Sequence, residues 1–312
     1  VKGGLAKWTI RTVKVLILTA FLWYLYTRVD FPKMSGYLKN LDYRYFTAGI
    51  LLFAAGMFLN LYKWKTMLSA YYHPSWKDVC ASMFGGYALS IFTPARLGEM
   101  GRCMFISELG KRKTMSLVGI DKAFNVSITT FLGVFFIQFM PLRYTATVKV
   151  IVYFFSALIL TFIVMYTRYP KRLYGLLIRI PFLKKGGRRD LLFAIKNSKR
   201  DDNIKLFTIS LAMYLMYLSE FVLFSMSFLP SSHHVALNAY IISLFLKTAL
   251  PLTVADWGIK EISMIEFYNY FGLSIEIALG AAMFLYFFNI ALPALAGGFY
   301  MIKMKGLKYH ER

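Results

Sequence analysis

Acidic residues are scarce in this chain. Only 15 Asp and Glu stand against 37 Lys and Arg, a formal net charge of +22 over 312 residues. Cysteine is scarcer still, with Cys80 and Cys103 alone. Two thiols cannot build a disulfide framework, and both are expected to be free on the cytoplasmic side. Polar sequence is also in short supply: 58% of residues are apolar and the mean hydropathy is +0.53. A soluble protein of this length would need more polar surface to cover its core. The sequence holds no Walker loop, no dinucleotide fingerprint and no HExxH, so no cofactor is expected. His233 and His234 form a pair without further ligands at suitable spacing, so they are read as residues of a short outer loop and no metal is expected.

What is present is apolar sequence in runs of about 20 residues, the span of a bilayer core. The clear runs are 9–28, 45–64, 115–138, 147–167, 206–228 and 277–302. The first is long enough to span and has no small-residue cleavage site, so it is read as a span and not a signal peptide. Aromatic residues make up 18% of the chain, with Tyr and Trp often near run ends, as membrane interfaces favour. Two further apolar stretches, 79–110 and 236–264, are interrupted by Pro, Gly and charge: Pro94 to Glu99 in one, Pro251 to Gly258 in the other. Such interruptions suit re-entrant hairpins whose irregular backbone lines a protein cavity.

Orientation follows from Lys and Arg. With the N-terminus inside and each hairpin returning to its side of entry, 27 of the 37 lie inside, 6 outside and 4 in membrane segments. The 168–205 loop alone carries 12. Basic charge there faces anionic headgroups, a better reading than nucleic acid. The alternation of basic and apolar residues over 171–200 suits an amphipathic element on that leaflet; a solvated linker is the plainer reading. The fold expected is an all-α polytopic membrane protein of about six spanning helices plus two re-entrant helical hairpins, a single domain over 1–312 with both termini cytoplasmic. Its halves, about 1–138 and 147–302, each read span, span, hairpin, span, but start on opposite sides. That is an inverted repeat, an architecture of secondary transporters that bind near the midplane.

Charges inside these segments are the candidate site. Thr93-Pro94 reads as a helix start, with Arg96 in the first turn as an anion site suited to phosphate. Glu99 and Arg102 are i, i+3 neighbours and can pair; equally, Arg96 can serve only to fasten the hairpin to an acid. Asp121 and Lys122 lie about two turns into a span, where charges face the bundle interior and pair; Arg96 for Asp121 and Glu99 for Lys122 are the expected partners. Glu220 is a lone mid-span acid, a proton carrier or a partner of Lys247. In the second hairpin Asp256 can cap a half-helix starting at Trp257, and Lys260 and Glu261 fall near the outer mouth, where solvation would explain them.

The run Tyr87 to Arg102, containing Pro94-Ala95-Arg96-Leu97-Gly98-Glu99, resembles the signature of the lysylphosphatidylglycerol synthase transmembrane (flippase-like) family. Leu250-Pro251-Leu252 to Glu261, then Phe271 to Ser274, resembles its second signature, and Leu292 to Gly298 its closing span. The chain has Ala255-Asp256 where that family usually has Gly-Gly, and Asp121-Lys122 where it often has Glu-Arg. The resemblance implies lipid flipping across the cytoplasmic (inner) membrane; the charges within the membrane segments, Arg96, Glu99, Arg102, Asp121, Lys122, Glu220, Lys247, Asp256, Lys260 and Glu261, are the substrate-binding candidates. It also implies a homodimer or other oligomer. The 312 residues hold no soluble aminoacyl-transfer domain, so no enzymatic activity is expected. The alternative is a membrane subunit presenting lipid to a separate glycosyltransferase or aminoacyl-transferase.

Overall fold

A computed structural model describes residues 19, 23–91, 93–137, 146–180, 192–249, 253–254 and 257–310. The described chain is almost wholly helical. After a helical stretch over 23–28 come α1 (Phe31–Lys39), α2 (Tyr43–Ser69), α3 (Trp76–Ile91), a 3₁₀ segment (Pro94–Met104), α4 (Lys111–Ile137) and α5 (Ala146–Arg168). The second part has α6 (Pro170–Leu177), α7 (Phe193–Asn197), α8 (Arg200–Phe228), α9 (His233–Ala249), α10 (Ile259–Tyr270), α11 (Ile275–Tyr286), a π segment (Phe287–Ala291) and α12 (Leu292–His310).

Among the described residues, four stretches are long and apolar enough to cross a membrane: Tyr43–Ser69, Lys111–Phe136, Arg200–Phe228 and Ile275–Ile302. They match four of the six expected spans. The fifth, 147–167, falls on α5, whose Tyr153–Arg168 is a shorter apolar helix among the described residues. The sixth, 9–28, lies mostly outside the described residues.

Short polar caps set where helices begin. The Asp30 carboxylate accepts from the Lys33 N–H at 3.0 Å, and Asp42 from the Arg44 N–H at 2.9 Å, satisfying donors that a helix start leaves open. The Asp42 N–H donates to the Ser227 carbonyl at 2.8 Å, so the start of α2 meets the end of α8 and the two helices run antiparallel along each other. Inside this contact Gly49 lies against the Phe224 ring, and Phe224 is part of a stack with Phe46, Phe284 and Phe288.

Each interrupted stretch forms a helical hairpin whose two arms pack on one another: α3 with the 3₁₀ segment, and α9 with α10. Close approach in the first depends on Gly98, where a Cβ would collide with the Leu89 carbonyl. The first hairpin leaves and rejoins the bundle beside the end of α2 and the start of α4. That end also holds α7, whose Phe193 stacks on Tyr71 and whose Ala194 N–H donates to Ser116. The second hairpin leaves and rejoins at the other end, where the Tyr268 hydroxyl shares hydrogen bonding with Ser225 and Ser225 with Ser232. There Glu276 accepts from the Asp30 N–H and the Ser274 hydroxyl, and pairs with Lys33 at 3.4 Å. The hairpins thus enter from opposite ends. At the tips, the two-residue strand Thr253–Val254 pairs antiparallel with Trp257–Gly258 and approaches the 3₁₀ segment.

Packing between the halves is reciprocal. Helix α3 of the first hairpin lies against α12, the close of the second half, and α9 of the second hairpin lies against α4, the close of the first. In the α3–α12 contact Gly297 sits directly on the Phe84 carbonyl, leaving no room for a Cβ. Two apolar clusters follow this division, one around α8 to α11 and one around α2, α3 and α4. Helix α6 buries Pro170 and Leu173 and leaves Lys171 and Arg172 exposed, the amphipathic form expected for this basic loop; residues 181–191 lie outside the described residues.

Candidate functional site

Six charged side chains from three elements converge between the hairpins and the long helices. Glu99 is the hub of one half. It pairs with Arg96 Nε at 2.8 Å, Lys122 Nζ at 2.7 Å and Arg102 at 2.9 Å. Asp121 is the hub of the other, pairing with Lys63 Nζ at 2.5 Å and Arg102 at 3.1 Å. Arg102 links them: one guanidinium nitrogen reaches each carboxylate, the forked geometry that Arg offers and Lys does not. Four cations share two carboxylates, so the cluster carries two formal positive charges in excess. Charges this deeply placed are costly unless paired, and removing any one partner strands another.

The local fold explains how they meet. Residues 99 and 102 share one face of the 3₁₀ segment, three residues apart. Gly86 on α3 leaves room for the Arg102 stem, since a Cβ there would lie 2.6 Å from Arg102 Cγ. The Arg102 guanidinium stacks over Trp64, whose indole N–H donates to Ser82 at 2.8 Å. The Arg96 guanidinium stacks over Tyr87, whose hydroxyl accepts from Asn60 at 3.0 Å. Arg96 has φ +55°, the one positive φ outside glycine among the described residues. A bulky residue held in the left-handed region marks a backbone constrained by its surroundings.

These groups line a cavity of ≈ 340 Å³, within the usual range for ligand pockets, about 300–1,000 Å³. From the first half it is lined by Asn60, Tyr87, Arg96, Glu99, Arg102, Asp121, Lys122 and Asn125; from the second, by Tyr214, Tyr240, Lys247, Lys260 and Asn289, among others. Glu220, buried on α8, accepts from Asn289 Nδ2 at 2.6 Å. Asn289 belongs to the π segment, a local widening of the helix often found at functional sites.

Several expectations need correction. Thr93-Pro94 does begin a helix, with Thr93 at the N-cap and Pro94 in the first turn, but the helix is 3₁₀ and not α, and Thr93 Oγ1 accepts from the Gly98 N–H at 2.6 Å. Asp121 pairs with Lys63 and Arg102 instead of Arg96, because Arg96 is directed to Glu99; the Lys122–Glu99 pair is as expected. Lys260 and Glu261 are not at a solvated mouth but buried, paired at 3.1 Å. The Glu261 carboxylate reaches back to the Gly258 N–H at 2.9 Å, closing the start of α10. Asp256 lies outside the described residues. His233 and His234 open α9, exposed, rather than lying in a loop, and no cluster able to hold a metal occurs among the described residues. Cys80 and Cys103 are free.

Lys63 is the main residue that sequence reading missed. It lies near the end of an apolar run, where a lysine ordinarily extends its stem to the interface. The run 45–64 stops there by hydropathy, but α2 continues to Ser69 and carries Lys63 inside. Its proximity in helical spacing to Asn60 is the only local signal, and it does not name Asp121.

The family model of the lysylphosphatidylglycerol synthase TM region matches residues 11–297. Comparison with curated proteins and with solved structures gives no match.

Proposed function

From the premise that the chain belongs to the lysylphosphatidylglycerol synthase transmembrane family, we propose that it is a flippase for an anionic lipid headgroup. The headgroup enters the cavity between the hairpins while the acyl or prenyl tails stay in the bilayer. The hairpins are re-entrant, the halves form an inverted repeat, and the two alternately open the cavity to either leaflet. The reciprocal packing of α3 on α12 and α9 on α4 supports the repeat, as does hairpin entry from opposite ends. The protein sits in the cytoplasmic membrane with both termini inside, acts as a homodimer or larger oligomer, and performs no synthesis.

One observation carries this reading: a half-open cavity lined by more cationic than acidic side chains lies between the two hairpins. Arg96 is the guanidinium that contacts the headgroup. Its side chain is 19% exposed, against 2% for Arg102, whose two terminal nitrogens are spent on Glu99 and Asp121. Lys122, a third exposed, stands beside it.

The test is Arg96→Lys in reconstituted vesicles, with transport read from headgroup accessibility in the outer leaflet and folding from thermal melting. The lysine keeps the charge and loses the fork. Transport is expected to fall about tenfold at unchanged melting, since a charged hydrogen bond contributes about 1.5–3 kcal/mol. Normal melting with undiminished transport would eliminate Arg96 as the contact. A large fall in melting temperature would assign it instead to holding Glu99.

A further inference from the structure

We infer that the cavity opens sideways into the bilayer core, through a mouth between α4 and α9, and that the hydrocarbon tails of the carried lipid pass through this mouth over Val126. The inference rests on the transport reading and adds the route by which the lipid reaches the site. Val126 lines the cavity and is 49% exposed, the most exposed of its lining residues. The lining residues of α4 are Lys122, Asn125, Val126 and Thr129, spaced as one face of a helix. Those of α9 are Leu244, Lys247 and Thr248, again one face. Apart from Val126, all of these are half-buried. Ser210, Met213 and Tyr214 of α8, which line the cavity too, are buried, so the opening lies on the side of α4 and α9. Along α4, Val126 stands between two fixed points. Gly133 lies so near Phe245 of α9 that an added Cβ would be 2.4 Å from the Phe245 Cβ, and Lys122 is held by Glu99 at 2.7 Å.

Depth decides what the mouth faces. At about 1.5 Å per residue, Val126 lies about 22 Å from the Lys111 end of α4 and about 16 Å from the Ile137 end. In a hydrocarbon core about 30 Å thick, that is close to the midplane, where an exposed residue meets lipid and not water. The hydroxyls beside the mouth fit that setting. Thr130 donates to the Val126 carbonyl and Thr248 to the Leu244 carbonyl, both at 2.8 Å, so each is satisfied on its own helix. A polar cavity opening on hydrocarbon is costly if its polar groups face the tails. An amphiphile suits both sides of such a mouth, with its headgroup inside and its tails outside, and a free anion does not.

The test has two arms, both on the full chain in vesicles of phosphatidylcholine with phosphatidylglycerol. In the first, Val126→Cys in a background lacking Cys80 and Cys103 carries a spin label, and its collisions with oxygen and with a water-soluble nickel chelate are compared. Oxygen, which concentrates in the bilayer core, is expected to dominate about tenfold. Access to the nickel chelate equal to that of a label at Lys171→Cys, an exposed loop position, would show that the mouth faces water and overturn the inference. In the second arm, phosphatidylglycerol with a fluorescent acyl chain is traced between leaflets by dithionite. Val126→Trp narrows the mouth and should slow the tracer about tenfold at unchanged melting. Phe135→Trp, also exposed on α4 but outside the cavity lining, should leave the rate unchanged. Movement at full rate through Val126→Trp would overturn the inference and leave the transport reading in place. If Val126→Trp melts early, the spin label still decides where the cavity opens. Failure of the unaltered protein to move the tracer would instead overturn the transport reading, with the spin-label result standing by itself.

Discussion

Lys63 and Asp121, 58 positions apart in sequence, meet at 2.5 Å between α2 and α4, and both are buried. This pair holds the carboxylate that also orients Arg102, so it supports the cavity wall without being its most open part. Lys63→Met leaves Asp121 with one cation fewer in a buried setting. Thermal melting is expected to show a loss of about 3–5 kcal/mol. Asp121→Asn should cost a similar amount, and the double variant less than the sum, because the two losses share one interaction. Strict additivity in this cycle would show that the pair is not coupled.

Gly98 tests the hairpin. Gly98→Ala places a methyl group against the Leu89 carbonyl, a backbone atom that cannot swing away. Destabilisation of about 1–3 kcal/mol is expected, as for an overpacked core site. Gly119, on α4, has open space where its Cβ would be, so Gly119→Ala should be neutral or stabilising by up to about 1 kcal/mol through helix propensity. Melting curves of the two variants side by side separate hairpin packing from a general intolerance of alanine.

Asn289 should matter through Glu220. Asn289→Ala removes the amide that donates to the buried carboxylate at 2.6 Å, and leaving a buried acceptor unsatisfied costs about 1–3 kcal/mol, more for a charged group. Adding Glu220→Met to that background is expected to recover part of the loss. Melting that does not improve in the double variant would refute the pairing. Transport by Glu220→Gln, measured with and without a proton gradient, checks separately whether the acid moves protons: a proton carrier loses its gradient response, a static partner does not.

Topology is checked by single cysteines in a background lacking Cys80 and Cys103. Exposed positions give clean labels: Lys39 and Ser231 at one end, Lys171 at the other. Ser232 next door is buried and hydrogen-bonded to Ser225, and would report burial instead of sidedness. An impermeant maleimide added to intact cells should reach positions 39 and 231 and spare 171. The reverse pattern would invert the orientation.

Local pattern alone determined much of this protein. Four of the apolar runs are long helices because about 20 apolar residues bury no unsatisfied backbone as a helix. Pro94 and the charges after it broke the 79–110 stretch, as did Pro251 and Gly258 the 236–264 stretch, and helical hairpins stand at both places. Glu99 and Arg102 pair as their three-residue spacing suggests, and Lys122 finds Glu99. The tertiary structure decided the rest. Hydropathy ended the second span at 64, but packing against α4 and the hairpin carried Lys63 inward to Asp121. Arg96 had two acids within reach by sequence, and in the folded protein it pairs with Glu99 while Asp121 is taken by Lys63 and Arg102. Lys260 and Glu261 looked like mouth residues by depth along the chain, yet both are buried at the start of α10, which packs against α9 and α11. Periodicity is a property of one segment, so a sequence displays it directly. Which charge meets which depends on the rotation and depth of one helix against another, and those are set only when all the segments pack together.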